Sequence, residues 1–256
     1  MSTTSSFDLT GRVAFITGAS KGIGLAIATS MAQFGAKVVI SSRNQGNIDD
    51  AVASLAGQDI EVTGISCHVG KEEDIDQALN AIQEQFGQLD IIVNNAATNP
   101  VYGPIQEAGV GAFDKIMDVN VKAPFLISKK AYPLLKASSH ASVINISSVE
   151  GIRPDKGLGL YSVSKAALCT LTQVMAKEWG PDGIRVNTIC PGLVKTKFST
   201  SLWQNEAMMA HVNNTLPLGR IAQPDEMAGL AVFLASDAAS YCTGGVYLAD
   251  GGYIIA

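Results

Sequence analysis

The chain has no apolar run near the roughly 18–20 residues that cross a bilayer. Its opening, MSTTSSFDLTGR, carries no basic stretch followed by an apolar core, so no secretory leader is expected. Charge is sparse as well: 16% of 256 residues are charged, and the formal net charge is −5. That balance offers no electrostatic case for binding nucleic acid. Cysteine is scarce. Cys67, Cys169, Cys190 and Cys242 stand far apart with no CxxC spacing. They read as reduced thiols in or near a core rather than a disulfide framework or zinc site. His68, His140 and His211 show no metal-ligand spacing, so no metal is expected. No histidine lies near a candidate serine and GxSxG is absent, which argues against serine-based acyl transfer. The end, GGYIIA, is neither a KDEL-type nor an SKL-type address, and a cytoplasmic protein is expected.

What is present is a rhythm. Short Val- and Ile-rich runs recur at 12–17, 37–42, 61–67, 89–95, 142–148, 184–190 and 244–250. They are nearly continuous in apolar character, as strands covered on both faces should be. Helical stretches lie between them, at about 22–35, 45–56, 72–87, 111–137, 161–179 and 224–236. This alternation predicts an α/β fold, a doubly wound parallel sheet of seven strands with helices on both faces. No linker, repeat or charge block divides the chain, so residues 1–256 read as a single domain. Residues 193–221 break the rhythm, with Phe198, Leu202, Trp203, Met208 and Met209 supplying apolar surface without a strand pattern. Such an insertion near strand carboxyl ends suits a segment that covers a ligand. Extra core packing and a subunit contact are the alternatives.

The stretch VAFITGASKGIGLAIA places Gly18, Gly22 and Gly24 between the first strand and the first helix. Glycine serves where backbone must adopt positive φ or approach a phosphate closely. A helix N-terminus then offers unpaired N–H groups and a positive dipole end to a pyrophosphate. Glycines alone would equally suit a tight strand–helix turn. Their place at the first strand–helix junction favours dinucleotide binding, with Ser20, Lys21 and Ile23 in the same turn. The second strand, about 20 residues on, should end beside the adenosine ribose. A carboxylate there would accept from the 2′-hydroxyl of NAD and repel a 2′-phosphate. This chain has Ser41, Ser42, Arg43 and Asn44 instead. A guanidinium grips phosphate bidentately and hydroxyls donate to it, which favours NADP(H). Lys21 adds a second positive charge. Solvated surface charges are the plainer alternative for both.

YSVSK places Tyr161 and Lys165 four apart at the start of a predicted helix, on one face. A free phenol titrates near 10, and a nearby ammonium would lower that value. Tyr161 would then exchange a proton with a substrate oxygen while hydride moves to or from a nicotinamide. Ser148, at the end of the fifth run, would hold that oxygen beside the phenol. Ser147, on the opposite strand face, reads as structural. Asn120 lies on a long predicted helix where its amide would bridge to Lys165 through water, and nearby Pro124 is the expected kink.

TGASKGIG, NNAA, the Asn120 segment, Ser148, YSVSK and PGLVKT occur in the order of the short-chain dehydrogenase/reductase family, which the chain resembles along essentially its whole length. The resemblance implies a Rossmann-like sheet, NAD(P) as cofactor, and a catalytic set of Asn120, Ser148, Tyr161 and Lys165. It implies that Asn95 and Ala96 lie along the cofactor. It places Pro191, Gly192, Val194 and Thr196 at the nicotinamide end, and it implies a homotetramer packed through the helices holding Asn120 and Tyr161. Where the family usually has Asp-Val after the third strand, this chain has His68 and Val69, so carboxylate readout of the adenine is lost and a stacking or backbone contact remains. SSRNQGNIDDAV, SCHVGKEED, NPVYGPI and LVKTKFSTSLW are similar to NADP-dependent carbonyl and retinal reductases of the peroxisomal short-chain type. Ketone or aldehyde substrates follow from that similarity. A 3-oxoacyl-carrier-protein reductase is the alternative within the same chemistry, but the two usual arginine positions fall at Ser139 and Asp182. A catalytically silent NADP-binding scaffold would have lost Tyr161 or Lys165, and both are present.

Overall fold

A computed structural model describes residues 6–256. The first five residues, read above for a leader, and the side chains of Met208 and His211 lie outside the described residues. Seven strands form one sheet: β1 Val13–Thr17, β2 Lys37–Ser42, β3 Val62–Ser66, β4 Ile91–Asn94, β5 Ser142–Ile146, β6 Arg185–Pro191 and β7 Val246–Ala249. Their spatial order is β3-β2-β1-β4-β5-β6-β7, and every pairing is parallel. The helices are α1 Gly22–Gln33, α2 Gln45–Ala56, α3 Glu72–Phe86, α4 Val110–Met117, α5 Ala123–Ala137, α6 Gly159–Trp179, α7 Thr200–Trp203, α8 Glu206–Thr215 and α9 Ala228–Ala235. Each of the seven expected strands is found: β2 with the expected bounds, β6 shifted by one residue, and the other five shorter than expected.

Period-2 alternation divides the core between the two faces of the sheet. Ala14 and Ile16 of β1 face Ile27 and Met31 of α1 and the apolar residues of α9. Val13 and Phe15 face α3, α5 and α6 through Ile75, Ile82, Ile127, Leu135 and Met175. Each such side chain, fully buried, contributes about 1.5–3 kcal/mol. Local signals agree with the packing. α3 opens with Glu72, Glu73 and Asp74 and closes on Gly87 at φ 69°, the left-handed cap that glycine adopts freely.

The predicted helix over 111–137 is broken. α4 and α5 are separated by a π turn at Asp118–Lys122, so the distortion precedes Pro124, which sits in the first turn of α5. A π turn inserts an extra residue and re-aims a side chain. Here the re-aimed residue is Asn120. The last predicted helix opens with a 3-10 turn at Pro224–Met227.

The strand order reverses between β1 and β4, the crevice where doubly wound sheets bind ligands. Thr17 at the end of β1 accepts from the backbone of Asn95 and Ala96, at 3.1 Å each. The Asn95 amide donates to the carbonyls of Thr17 and Gly18 at 2.9 and 3.0 Å. These bonds seat the glycine turn on the end of β4.

Candidate active site

The glycine turn has the shape of a cradle. Gly18 and Gly22 adopt φ 63° and 61°. A Cβ on Gly18 would lie 2.8 Å from Ala96 Cα, and one on Gly24 would lie 2.4 Å from Asn95 Nδ2. Lys21 is the N-cap of α1 but makes no side-chain cap bond, and the first turn holds no acidic residue. The leading N–H groups of α1 therefore meet no competing side chain, which fits an incoming pyrophosphate.

At the end of β2, the Ser41 carbonyl accepts from Ala19 N–H at 2.9 Å, tying this strand end to the glycine turn. Arg43 is exposed and has no ion-pair or hydrogen-bond partner among the described residues. Ser42 is half-buried, and among the described residues the buried Ser41 hydroxyl has no hydrogen-bond partner. Asn44 is more occupied than expected: its Oδ1 accepts from Asn47 N–H at 3.0 Å and caps α2, leaving its amide nitrogen for a ligand. A free guanidinium and a half-free hydroxyl beside a phosphate cradle fit a 2′-phosphate. After β3, His68 N–H donates to Asp74 at 2.9 Å and its Nδ1 accepts from Gly70 at 3.1 Å, so the ring is pinned over its own turn. Val69 is buried beside it.

The four candidate catalytic residues come from two elements, the π turn and α6, and from the loop that starts beyond β5. Asn120 is buried in the π turn. Its Oδ1 accepts from Thr98 N–H at 2.8 Å, and its amide donates to the Thr98 carbonyl and to Ser164 at 3.0 Å each. Its direct contact in α6 is with Ser164, the neighbour of Lys165. Lys165 is 2% exposed, and its Nζ donates to the Ile146 carbonyl at 2.8 Å. Ser147 donates to the Lys165 carbonyl at 2.8 Å, which holds α6 against the end of β5. Ser148 accepts from Glu150 N–H at 3.2 Å, and its hydroxyl stands near enough to the Tyr161 phenol to lower its pKa.

The electrostatics differ from the expectation. Burial pushes the Tyr161 phenol well above its ordinary value, and the bond from Ser148 offsets this only in part. Burial also lowers Lys165, to about 8. The protein alone thus holds Tyr161 in its acid form, and the neighbouring amine does not bring it toward neutrality.

Beyond β6, Gly192 lies so close to Asp250 that a Cβ would stand 2.8 Å from its Cα. Val194 is buried and bridges Ala222, and Thr196 Cγ2 would lie 3.4 Å from a Cβ on Gly22. The segment after β6 therefore reaches back to the glycine turn. Trp203 Nε1 donates to the Thr196 carbonyl at 2.9 Å, and Phe198 lies with its ring centroid 6.0 Å from that of Tyr161.

Sequence reasoning missed three neighbours of this site. Ser164 binds Asn120, Tyr102 stacks against Gly157, and Glu150 is buried just beyond Ser148. Only Glu150 left a signal, a lone acid amid the small and apolar residues of NISSVEG.

The family profile described as Enoyl-(Acyl carrier protein) reductase matches residues 18–254. Human dehydrogenase/reductase SDR family member 4 is 43% identical over 244 residues, covering 95% of this chain and 88% of that protein. The chain belongs to the short-chain dehydrogenase/reductase family. Among solved members, a gluconate 5-dehydrogenase from Burkholderia cenocepacia in complex with NADP and tartrate superposes with a TM-score of 0.94 at 29% identity, covering 99% of both chains. A short-chain type dehydrogenase/reductase from Mycobacterium marinum gives 0.90 at 33% identity, over 97% of both. As a member of this family the protein is an oxidoreductase, and its cofactor is NADP(H). No helix among the described residues is long and apolar enough to cross a membrane.

Proposed function

We propose that the protein reduces a ketone or aldehyde to the alcohol, reversibly, with Tyr161 as the proton donor. The observation that carries this reading is the half-buried Tyr161 phenol beside Ser148 and Lys165, with its pKa raised by desolvation. NADPH, when bound, supplies the hydride. The glycine turn and the α1 N-terminus hold its pyrophosphate, Ser42 and Arg43 its 2′-phosphate, and Asn95, Ala96 and the Pro191–Thr196 segment its remaining length. Ser148 Oγ donates to the carbonyl oxygen and orients it toward Tyr161 Oη, which gives up its proton as negative charge develops there. Lys165 and Ser147 hold α6 against the end of β5, and the Asn120–Ser164 bond ties α6 to the π turn. Phe198 covers the mouth from the 193–221 segment and favours an apolar or aromatic substrate.

The family profile is named for a carrier-bound substrate. Against a carrier, Asp182 presents a carboxylate engaged by Tyr132 and Lys136, where carrier-binding relatives would present a cation. Exposed Phe113, Phe125 and Val163 on α4, α5 and α6 support packing of four copies through these helices. The four free thiols accord with a cytoplasmic site of action.

The test is NADPH oxidation against a panel of free ketones, aldehydes and a carrier-bound 3-oxoacyl group. Turnover of free carbonyls, lost in Tyr161→Phe, is expected. Turnover confined to the carrier-bound compound would replace this reading with the carrier one.

A further inference from the structure

A buried carboxylate near the phenol has no part in the account above. Glu150 follows Ser148 by two residues and is 7% exposed. Two donors converge on its Oε2, the Asp155 N–H at 3.0 Å and the Ser162 hydroxyl at 2.7 Å. Burial raises the Glu150 carboxyl above its ordinary value, and the two donors on its Oε2 act against that shift, in favour of the anion. Ser162 stands next to Tyr161 in the first turn of α6. That turn contains no acidic residue, and Leu158 at the N-cap offers no side-chain cap. A helix beginning favours a nearby anion, through its unpaired N–H groups and its dipole. Glu150 supplies one from outside the helix.

The same carboxylate fixes the segment 151–158, which runs between Ser148 and α6. The Asp155 side chain in turn bonds the Tyr253 hydroxyl, and Arg153 reaches the carbonyls of Tyr253 and Ile254 at 3.0 and 3.4 Å. Gly157 accepts from Gly103 N–H at 3.0 Å, and a Cβ on it would stand 2.9 Å from Tyr102 Cζ. One wall beside the phenol is thus held from three directions, and Glu150 is its innermost anchor.

We propose that Glu150 is a positioning residue of this site: its carboxylate ties the first turn of α6 to the 151–158 wall, and through Ser162 it sets a negative charge next to Tyr161, the residue that protonates a carbonyl oxygen. The second half rests on the carbonyl-reduction reading above. The groups facing the phenol are Glu150 and Cys190, which disfavour the phenolate, the Ser148 hydroxyl, which favours it, and Lys165, whose Nζ is 5.5 Å from the ring centroid. Lys165 itself faces Cys169 and Cys190. Glu150 faces Asp155 and Tyr253, with Arg153 over the Tyr253 ring.

The sign follows. Burial is the main cause of the raised Tyr161 pKa and the Glu150 charge adds to it, so removing that charge makes the phenol more acidic. Reduction needs the phenol and is lost as pH rises through its pKa, so its alkaline limb moves to lower pH. Oxidation of the alcohol needs the phenolate, so at a fixed pH below that pKa it speeds up.

The test compares the parent with Glu150→Gln, Glu150→Ala and Ser162→Ala. It reads the pH profile of kcat in both directions, KM for NADPH, and hydrogen–deuterium exchange of 151–158. Glu150→Gln keeps an oxygen acceptor without the charge. Exchange within about twofold of the parent and an alkaline limb at lower pH are expected. In Glu150→Ala, 151–158 exchange about tenfold or more faster and kcat falls about tenfold, with KM for NADPH little changed, as for the loss of one or two hydrogen bonds to a charged group. Ser162→Ala, which keeps the charge, lowers kcat less and leaves the limb in place. An unmoved limb in Glu150→Gln, or parent-like exchange in Glu150→Ala, overturns the proposal. Should the alanine variant not fold, a parent-like exchange of 151–158 and kcat in Ser162→Ala would overturn the anchoring half, and faster exchange with lower kcat would support it. A parent inactive on every carbonyl would remove the reduction reading, and the exchange measurements would still decide whether Glu150 anchors the wall.

Discussion

Lys165 Nζ stands 5.5 Å from the centroid of the Tyr161 ring while donating to the Ile146 carbonyl at 2.8 Å. One ammonium thus braces the end of β5 and faces the phenol one helical turn away. Its burial costs stability, because a charge taken from water is repaid by a single carbonyl bond. Sequence spacing put the two side chains on one face. It did not show that the amine would be this dry.

That burial makes stability depend on pH in a definite direction. Lys165 is lowered from 10.5 to about 8 in the folded chain. Between those values the unfolded chain holds more protons, so this group's contribution rises with pH and is lost as pH falls through about 8. Tyr161 acts oppositely. Its raised pKa contributes stability that is complete below about 10 and is lost as pH rises further. Lys165→Met should abolish turnover. Its urea midpoint relative to the parent should be most favourable below about pH 8 and should lose that advantage toward about pH 10. Parallel midpoints at all pH values would show that Lys165 is not buried as a charge.

Arg43 tests the choice of cofactor. The side chain is exposed and makes no ion pair among the described residues, so its removal leaves the fold intact. Losing a charge-assisted phosphate contact costs about 1.5–3 kcal/mol, roughly 10–100-fold in affinity. Arg43→Asp should raise KM for NADPH by that order or more, since it adds repulsion, and should leave KM for NADH nearly unchanged. kcat should change little, because the contact is remote from hydride transfer. Steady-state kinetics with both cofactors decide it, and an unchanged KM for NADPH would remove Arg43 from the phosphate site.

The contrast between Arg43 and Asn120 shows what sequence makes legible. Apolar runs gave all seven strands, because a strand covered on both faces must be apolar along its length. Arg43 could be placed because a strand end fixes its surroundings. Asn120 could be located, but its geometry could not be read. Its bonds to Thr98 and Ser164 depend on a π turn, and helical periodicity carries no mark of one inserted residue. Pro124, the visible breaker, was blamed for a distortion that lies before it. Glu150 was missed for a different reason. Its partners Asp155 and Ser162 are five and twelve residues ahead, across a loop whose return path no local pattern encodes.

Phe198 offers the sharpest check on the 193–221 segment. The ring is 54% exposed, yet its centroid is 6.0 Å from that of Tyr161. A half-exposed aromatic contributes little to the core, so Phe198→Ala should leave the melting temperature nearly unchanged. If the segment covers the substrate, the loss falls on binding. KM for an aromatic ketone should rise about 5–30-fold, the value of roughly 1–2 kcal/mol of apolar and ring contact. KM for a small aliphatic ketone should rise less, because it buries less of that ring. KM for NADPH should hold. Equal effects on the two ketones would mean that Phe198 only closes the site against water. A lowered melting temperature with unchanged KM values would return the segment to the role of core packing.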